Sequence, residues 1–242
     1  MSAGSLALAF RAECVLGLQL VLRSRAVQLV VLLAAVLTGV GVFGGVGQSL
    51  AAAGRLTFVA CGSLMAVAGS QLLATGPALA AVRRAAAPGW VHSVGRMAGV
   101  ALLLWPIVVG TASVLIGPVG GWAQVGRLAA VGWVYAGAVG ALALSLGPLV
   151  GASGAASLGL LLVWLGGIPP SSMYVLLEAW PHVQRPIVWL WNVLPLGWRA
   201  DRLHVEGLAV DAILLAGWVA LGVVVAAWGA VRLPAHPGRG AS

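Results

Sequence analysis

Six apolar runs divide the chain, at roughly 26–46, 56–81, 98–120, 128–150, 155–177 and 208–231. Each reaches the roughly 20 residues that a helix needs to cross hydrocarbon. The pattern predicts an all-α integral membrane protein with six transmembrane helices over 26–231. Only Gly151-Ala152-Ser153-Gly154 separates the fourth run from the fifth, so a tight turn is expected there. Gly166, Gly167, Pro169 and Pro170 predict a kink or break near the far end of the fifth.

The segments flanking the runs are polar enough to read separately. In residues 1–25, Arg11, Glu13, Arg23 and Arg25 interrupt the apolar stretch, which excludes a cleavable signal peptide. Arg11, Gln19 and Arg23 fall within about a third of a turn on a helical wheel, an arc they share with Val15 and Leu22. A weakly amphipathic helix lying along the cytoplasmic leaflet is expected, its arginines snorkelling to phosphates. After the sixth run, residues 232–242 form a short tail expected to be disordered.

Between the fifth and sixth runs lies a stretch of another kind, Trp180 to Glu206. It holds three of the thirteen arginines, two of the five acids and four of the eleven tryptophans (Trp180, Trp189, Trp191 and Trp198). Pro181, Pro186 and Pro195 argue against one continuous helix. Tryptophan mixed with proline and charge suits the boundary between lipid and water, where an indole buries its ring and wets its N–H. The expectation is a re-entrant or interfacial helical segment, with Trp189, Trp191, Pro195, Trp198 and Asp201 as its defining residues.

Composition sharpens this picture. Hydrophobic residues make up 61% and charged residues 7%, against roughly 25% charged in a soluble domain. The net charge of +8 comes from arginine alone, since there is no lysine. In such a chain basic residues mark cytoplasmic flanks and lipid headgroups, not nucleic acid. Without lysine neither a phosphate-binding P-loop nor a Schiff base can be built, so no nucleotide site and no cofactor are expected. Cys14 and Cys61 sit in apolar surroundings and suggest neither a disulfide nor a metal site.

Arginine placement then orients the chain. With both termini cytoplasmic, the inner side holds Arg11, Arg23, Arg25, Arg83, Arg84, Arg96, Arg232 and Arg239. The outer side holds Arg55, Arg127, Arg185, Arg199 and Arg202, three of them in one long loop where the positive-inside rule weakens. The stretch at 180–206 is then external and the segment from Val82 to Arg96 cytoplasmic.

Two short stretches and the layout together resemble a family. FRAECVLGLQLVLRSRA (Phe10 to Ala26) is similar to the helix that precedes the first span of type-2 ABC exporter permeases. NVLPLGWRADRL (Asn192 to Leu203) is similar to the stretch common just before that family's last span. The resemblance implies a permease subunit of the bacterial inner membrane that moves a lipid-like or amphipathic molecule. It would pair with a second copy or a homologous permease and be driven by a separate P-loop ATPase. It also implies a coupling segment between the second and third spans, where Arg83, Arg84 and Arg96 are the candidate contacts. Here that segment lacks the acids usual in the family.

Gly151 to Gly154 resembles the GxSG of rhomboid proteases, with His204 as a candidate partner for Ser153. The expected topology puts the two on opposite faces of the membrane. A haem subunit needs histidines facing each other within spans, and His92, His182, His204 and His236 are all expected in loops or the tail. An ion-coupled transporter needs an ionisable group near mid-membrane. Glu178 and Asp211 border the runs at outer ends, where pairing with Arg185, Arg199 or Arg202 is the plainer expectation. A purely structural membrane subunit of a larger complex is the remaining alternative.

Overall fold

The computed structural model describes residues 3–44, 49–71 and 89–232, and among these every regular element is a helix. Helix α1 spans Ala3–Arg23 and α2 Arg25–Phe43, with Ser24 between them accepting from the Val27 N–H as N-cap. Helix α3 spans Leu50–Gln71. Helix α4, Gly89–Leu165, is broken into three arms at Gly121 (φ 70°) and Gly151 (φ 77°), backbone angles that glycine adopts without strain. Three short helices follow, α5 (Pro170–Leu176), α6 (Pro181–Val193) and α7 (Gly197–Val205), and α8 (Ala209–Arg232) completes the order.

Five helical stretches, namely α1, α2, α3 and the first two arms of α4, are long and apolar enough to cross a membrane, and six if the bent pair 149–165 and 170–176 counts as one span. That is the chemistry of a multi-pass membrane protein. The break expected at Gly166–Pro170 is present, as a bend of 97°. Two linkers are shorter than the sequence suggested. Residues 122–127 and 152–154 are already helical, because each reversal is made at one glycine rather than across a loop. Helix α1 is itself among the five, so length and composition do not separate it from the spans.

Glycine contacts fix the relative directions. Gly62 meets Tyr135 and Gly69 meets Gly140, so α3 and the second arm of α4 run the same way. Gly137 meets Val219 and Gly222 meets Ala141, so α8 runs with them. Gly62 also meets Val163 and Gly159 meets Ala66, so the third arm runs against them. Such approaches of backbone to backbone are how helices associate where water supplies no driving force. They gather the starts of α3, of the second arm and of α8, with α5 to α7, at one end of the bundle.

At the opposite end α1 crosses the start of α4. Gly17 lies against the Arg96 backbone, Gly95 against Glu13 and Gly99 against Cys14. The Arg96 Nε donates to a Glu13 carboxylate oxygen at 2.9 Å, both side chains being over nine-tenths buried. Arg83, Arg84 and the tail from 233 onward lie outside the described residues.

Candidate functional site

The polar groups of the bundle converge on α7, the nine-residue helix GWRADRLHV. Its position follows from how the broken chain around it satisfies its own carbonyls. Irregular backbone at membrane depth survives only where its polar groups find partners within the protein. Here indoles and an amide serve. The Trp191 Nε1 donates to Ile168 O at 2.8 Å, Trp218 Nε1 to Val193 O at 2.7 Å and Gln184 Nε2 to Tyr174 O at 2.7 Å. The Trp198 backbone N–H donates to Gly166 O at 2.8 Å and anchors the first turn of α7 at the bend.

The prolines act less uniformly than their spacing suggests. Pro181 opens α6, where its missing N–H costs nothing, and Pro195 lies in the link between α6 and α7. Pro186 sits inside α6 without ending it. Trp191 is buried while Trp189 points away from the bundle, being 67% exposed. The two are two residues apart on a helix and so face opposite ways.

Two groups of charges hold α7 down. In the first, the Arg199 Nη1 donates to Asp211 Oδ1 at 2.6 Å, with Asp211 wholly buried and the Arg199 side chain 7% exposed. Arg202 Nε approaches the second Asp211 oxygen at 3.3 Å, near enough for charge attraction but outside hydrogen-bonding geometry. Both guanidinium groups lie over the Trp198 ring, at 4.5 and 5.5 Å from its centroid, a contact that strengthens on desolvation. In the second, Arg55 at the start of α3 donates through Nε to Asp201 Oδ2 at 3.0 Å. This ties α7 to α3 across 146 positions of sequence. An exposed pair, Arg202 with Glu206 at 3.7 Å, adds little.

His204 lies between these groups. It is buried, its ring meets Phe58 edge-on at 6.5 Å, and Gly54 lies against it and Asp201. Burial holds its pKa below the ordinary 6.5 and the Arg127 charge acts the same way, while Asp201 opposes them. Gly207, at φ 72°, ends α7 in the left-handed conformation and leaves room for the Arg127 guanidinium. Five buried polar atoms here have no hydrogen-bond partner among the described residues: Trp198 Nε1, Arg199 Nε, Asp201 Oδ1, His204 Nδ1 and Asp211 Oδ2. Such a concentration marks a high-stakes site, strong when its groups are paired and sensitive to any change in charge.

The sign of the histidine effect can be tested. A buried histidine with a lowered pKa binds fewer protons folded than unfolded, so stability falls as pH drops below the unfolded value of 6.5. The thermal unfolding midpoint of the purified protein should therefore decline between pH about 7.5 and about 5.5. His204→Gln should show a shallower decline. Parallel slopes in both proteins would remove His204 as the titrating group.

Of the residues expected from sequence, Trp191, Trp198 and Asp201 belong to this end of the bundle. Asp211 pairs with Arg199 and Arg202 as expected, though wholly buried rather than at the surface, and Glu178 is exposed with no ion pair among the described residues. Arg96 and Glu13, assigned from sequence to separate segments, are partners. Arg11, Arg23 and Arg25 make no ion pair among the described residues and lie along α1 and at the start of α2. Arg55 and Arg127 were seen from sequence only as outer charges.

The histidines differ from expectation. His92 lies within α4, His182 in the first turn of α6 and His204 in α7, so none of these three is in a loop, because the segments thought to be linkers are helical. His236 lies outside the described residues. Ser153 begins the third arm of α4, whereas His204 lies at the end where that arm finishes. The twelve steps of helical rise from Ser153 to Leu165 span about 18 Å, so the two are not partners. No cluster of three potential metal ligands occurs among the described residues. Comparison with known proteins found no matching family, no curated relative and no solved structure.

Proposed function

We propose that the chain is the membrane-spanning permease subunit of an ABC transporter of the type-2 exporter kind. On this reading six spans cross a bacterial inner membrane with both termini cytoplasmic, and α1 lies along the cytoplasmic face. A second permease copy completes the pathway. ATP is hydrolysed on a partner P-loop ATPase, and a lipid-like or amphipathic substrate moves by alternating access. One observation carries the reading furthest. The segment between the third arm of α4 and α8 is a broken, tryptophan-anchored cap fixed to the start of α3 by an exposed ion pair and to the start of α8 by a buried one. A cap held in this way can transmit movement between helices rather than merely join them.

Force would enter at the other end. The absence of lysine leaves this chain no P-loop of its own, so the coupling contact falls to the cytoplasmic segment carrying Arg83 and Arg84. Charge-assisted hydrogen bonds to an acidic groove contribute about 1.5–3 kcal/mol each. Purification in mild detergent should bring down a P-loop ATPase. The doubly substituted Arg83→Glu, Arg84→Glu protein should insert normally and lose that partner. Co-purification of several unrelated subunits with no ATPase would favour the structural-subunit reading. Undiminished ATPase binding by the double variant would remove these arginines from the contact.

A further inference from the structure

Charge does not balance where α7 meets α8. Arg199 and Arg202 both approach one carboxylate, Asp211, at 2.6 and 3.3 Å. Asp211 is wholly buried and the Arg199 side chain nearly so, which leaves one positive charge in excess at a site largely shielded from water. Glu206 offsets it weakly, lying 3.7 Å from Arg202 Nε with its side chain 55% exposed. Buried charge is ordinarily matched by a partner or a bound ion of opposite sign.

The unpartnered atoms of the same group specify the ion. Trp198 and Arg199 are each more than nine-tenths buried, and neither Trp198 Nε1 nor Arg199 Nε has a hydrogen-bond partner among the described residues. Both nitrogens can only donate, so what each lacks is an acceptor. The Arg199 and Arg202 guanidinium carbons lie 4.5 and 5.5 Å from the Trp198 ring centroid. One anion making hydrogen bonds of about 2.9 Å to either side reaches across such a separation. Asp211 Oδ2 has the opposite need, an acceptor without a donor. A phosphate that retains one proton answers all of these, with charge, acceptor oxygens and a hydroxyl. Sulfate and carboxylate lack the hydroxyl, and water leaves the excess charge in place. Arg202, its side chain 43% exposed, is the member of the group that an anion in solvent meets first.

We infer that Trp198, Arg199 and Arg202 form a binding site for a phosphate group, with Asp211 Oδ2 accepting from its hydroxyl. Arginine suits the task, since its planar donors match phosphate oxygens. The bound group takes the place of Glu206 beside Arg202. The chemistry is the same for inorganic phosphate and for the monoester headgroup of phosphatidate. The site does not depend on the transporter reading and would serve a structural subunit equally well.

The test is equilibrium binding of radiolabelled inorganic phosphate to the full-length protein in an uncharged detergent. A pH of about 6 keeps a proton on much of the phosphate. Saturable binding is expected, with sulfate competing several-fold more weakly at equal ionic strength. Trp198→Phe keeps the ring and loses the N–H, and should weaken binding about tenfold, the worth of one hydrogen bond to a charged group. Arg202→Gln removes the excess charge, leaves Arg199 and Asp211 as a balanced pair, and should abolish saturable binding. Glu206→Gln removes the competing carboxylate and should tighten binding several-fold, a gain that a misfolded variant cannot imitate. Competition by phosphatidate, with phosphatidylcholine as control, separates the two sources. Displacement by phosphatidate far below the concentration of inorganic phosphate that has the same effect assigns the site to a lipid headgroup, and no displacement assigns it to soluble phosphate. Absence of saturable binding would overturn the inference. So would equal competition by sulfate, or equal affinity in the natural protein, Trp198→Phe and Arg202→Gln.

Discussion

Replacing Asp211 with alanine is expected to destabilise the protein by about 3–5 kcal/mol, the cost of removing one partner from a buried pair. Asp211 is wholly buried and accepts from Arg199 at 2.6 Å, and the Arg199 side chain is itself 7% exposed. Without the carboxylate the Arg199 charge stays in a low-dielectric site where its Nε already lacks an acceptor. Arg202 does not rescue it, being a second cation approaching the same carboxylate. The Trp198 ring then has two guanidinium groups over it, with only the exposed Glu206 beside Arg202. Because α7 hangs from this pair and from Trp198 N–H to Gly166 O, the bend and the cap should loosen together. Thermal unfolding in detergent measures the loss, and limited proteolysis between α7 and α8 locates it. Asp211→Asn, whose amide oxygen still accepts, should lose less. The double replacement Arg199→Leu, Asp211→Leu should recover much of the deficit, since removing both charges removes the desolvation cost. A loss under about 1 kcal/mol for Asp211→Ala would show the pair to behave like an exposed one.

How much of this was legible beforehand depends on the range of the interaction. The apolar runs mark the long helices, because burying or solvating twenty residues in hydrocarbon is decided by local composition. The bend at Gly166–Pro170 was equally local, since glycine and proline act on their own backbone. Linker lengths were not legible. One positive-φ glycine replaces a loop only if the next helix can pack at once, and that depends on contacts such as Gly69 with Gly140. Trp189 and Trp191 were read as equivalent, although helical periodicity alone puts residues two apart on different faces.

The long-range ion pairs were the least legible part, joining positions 146 and 83 apart. One signal did exist. The chain has only five acids, and four of them, Glu13, Asp201, Glu206 and Asp211, make ion pairs. In so apolar a chain an acid without a partner is costly, so each was a pointer to an arginine elsewhere.

Glu13 carries the last of these pointers, and its loss should act on a whole helix. Glu13→Ala takes away the carboxylate that accepts from Arg96 Nε at 2.9 Å, with both side chains more than nine-tenths buried. A cost of about 3–5 kcal/mol is expected by the same reasoning as for Asp211. Here it should appear as loosening of α1, whose other contacts with the start of α4 include close approaches at Gly17, Gly95 and Gly99. Those contacts hold only while the two backbones stay together, since dispersion falls off within an ångström of gap. The chain carries its own reporters. Cys14 lies on α1 against Gly99 and is half-buried, while Cys61 is buried within α3. A thiol reagent should modify Cys14 faster in Glu13→Ala than in the natural protein and leave Cys61 untouched in both. Arg96→Lys should also raise the rate, because a lysine ammonium does not reproduce the planar donor of arginine. The exchanged pair Glu13→Arg, Arg96→Glu should slow modification towards the natural rate if the attraction holds α1. If the exchanged pair reacts as fast as Glu13→Ala, charge attraction alone does not hold α1. Equal reactivity of Cys14 in all four proteins would mean that α1 stays in place without the pair.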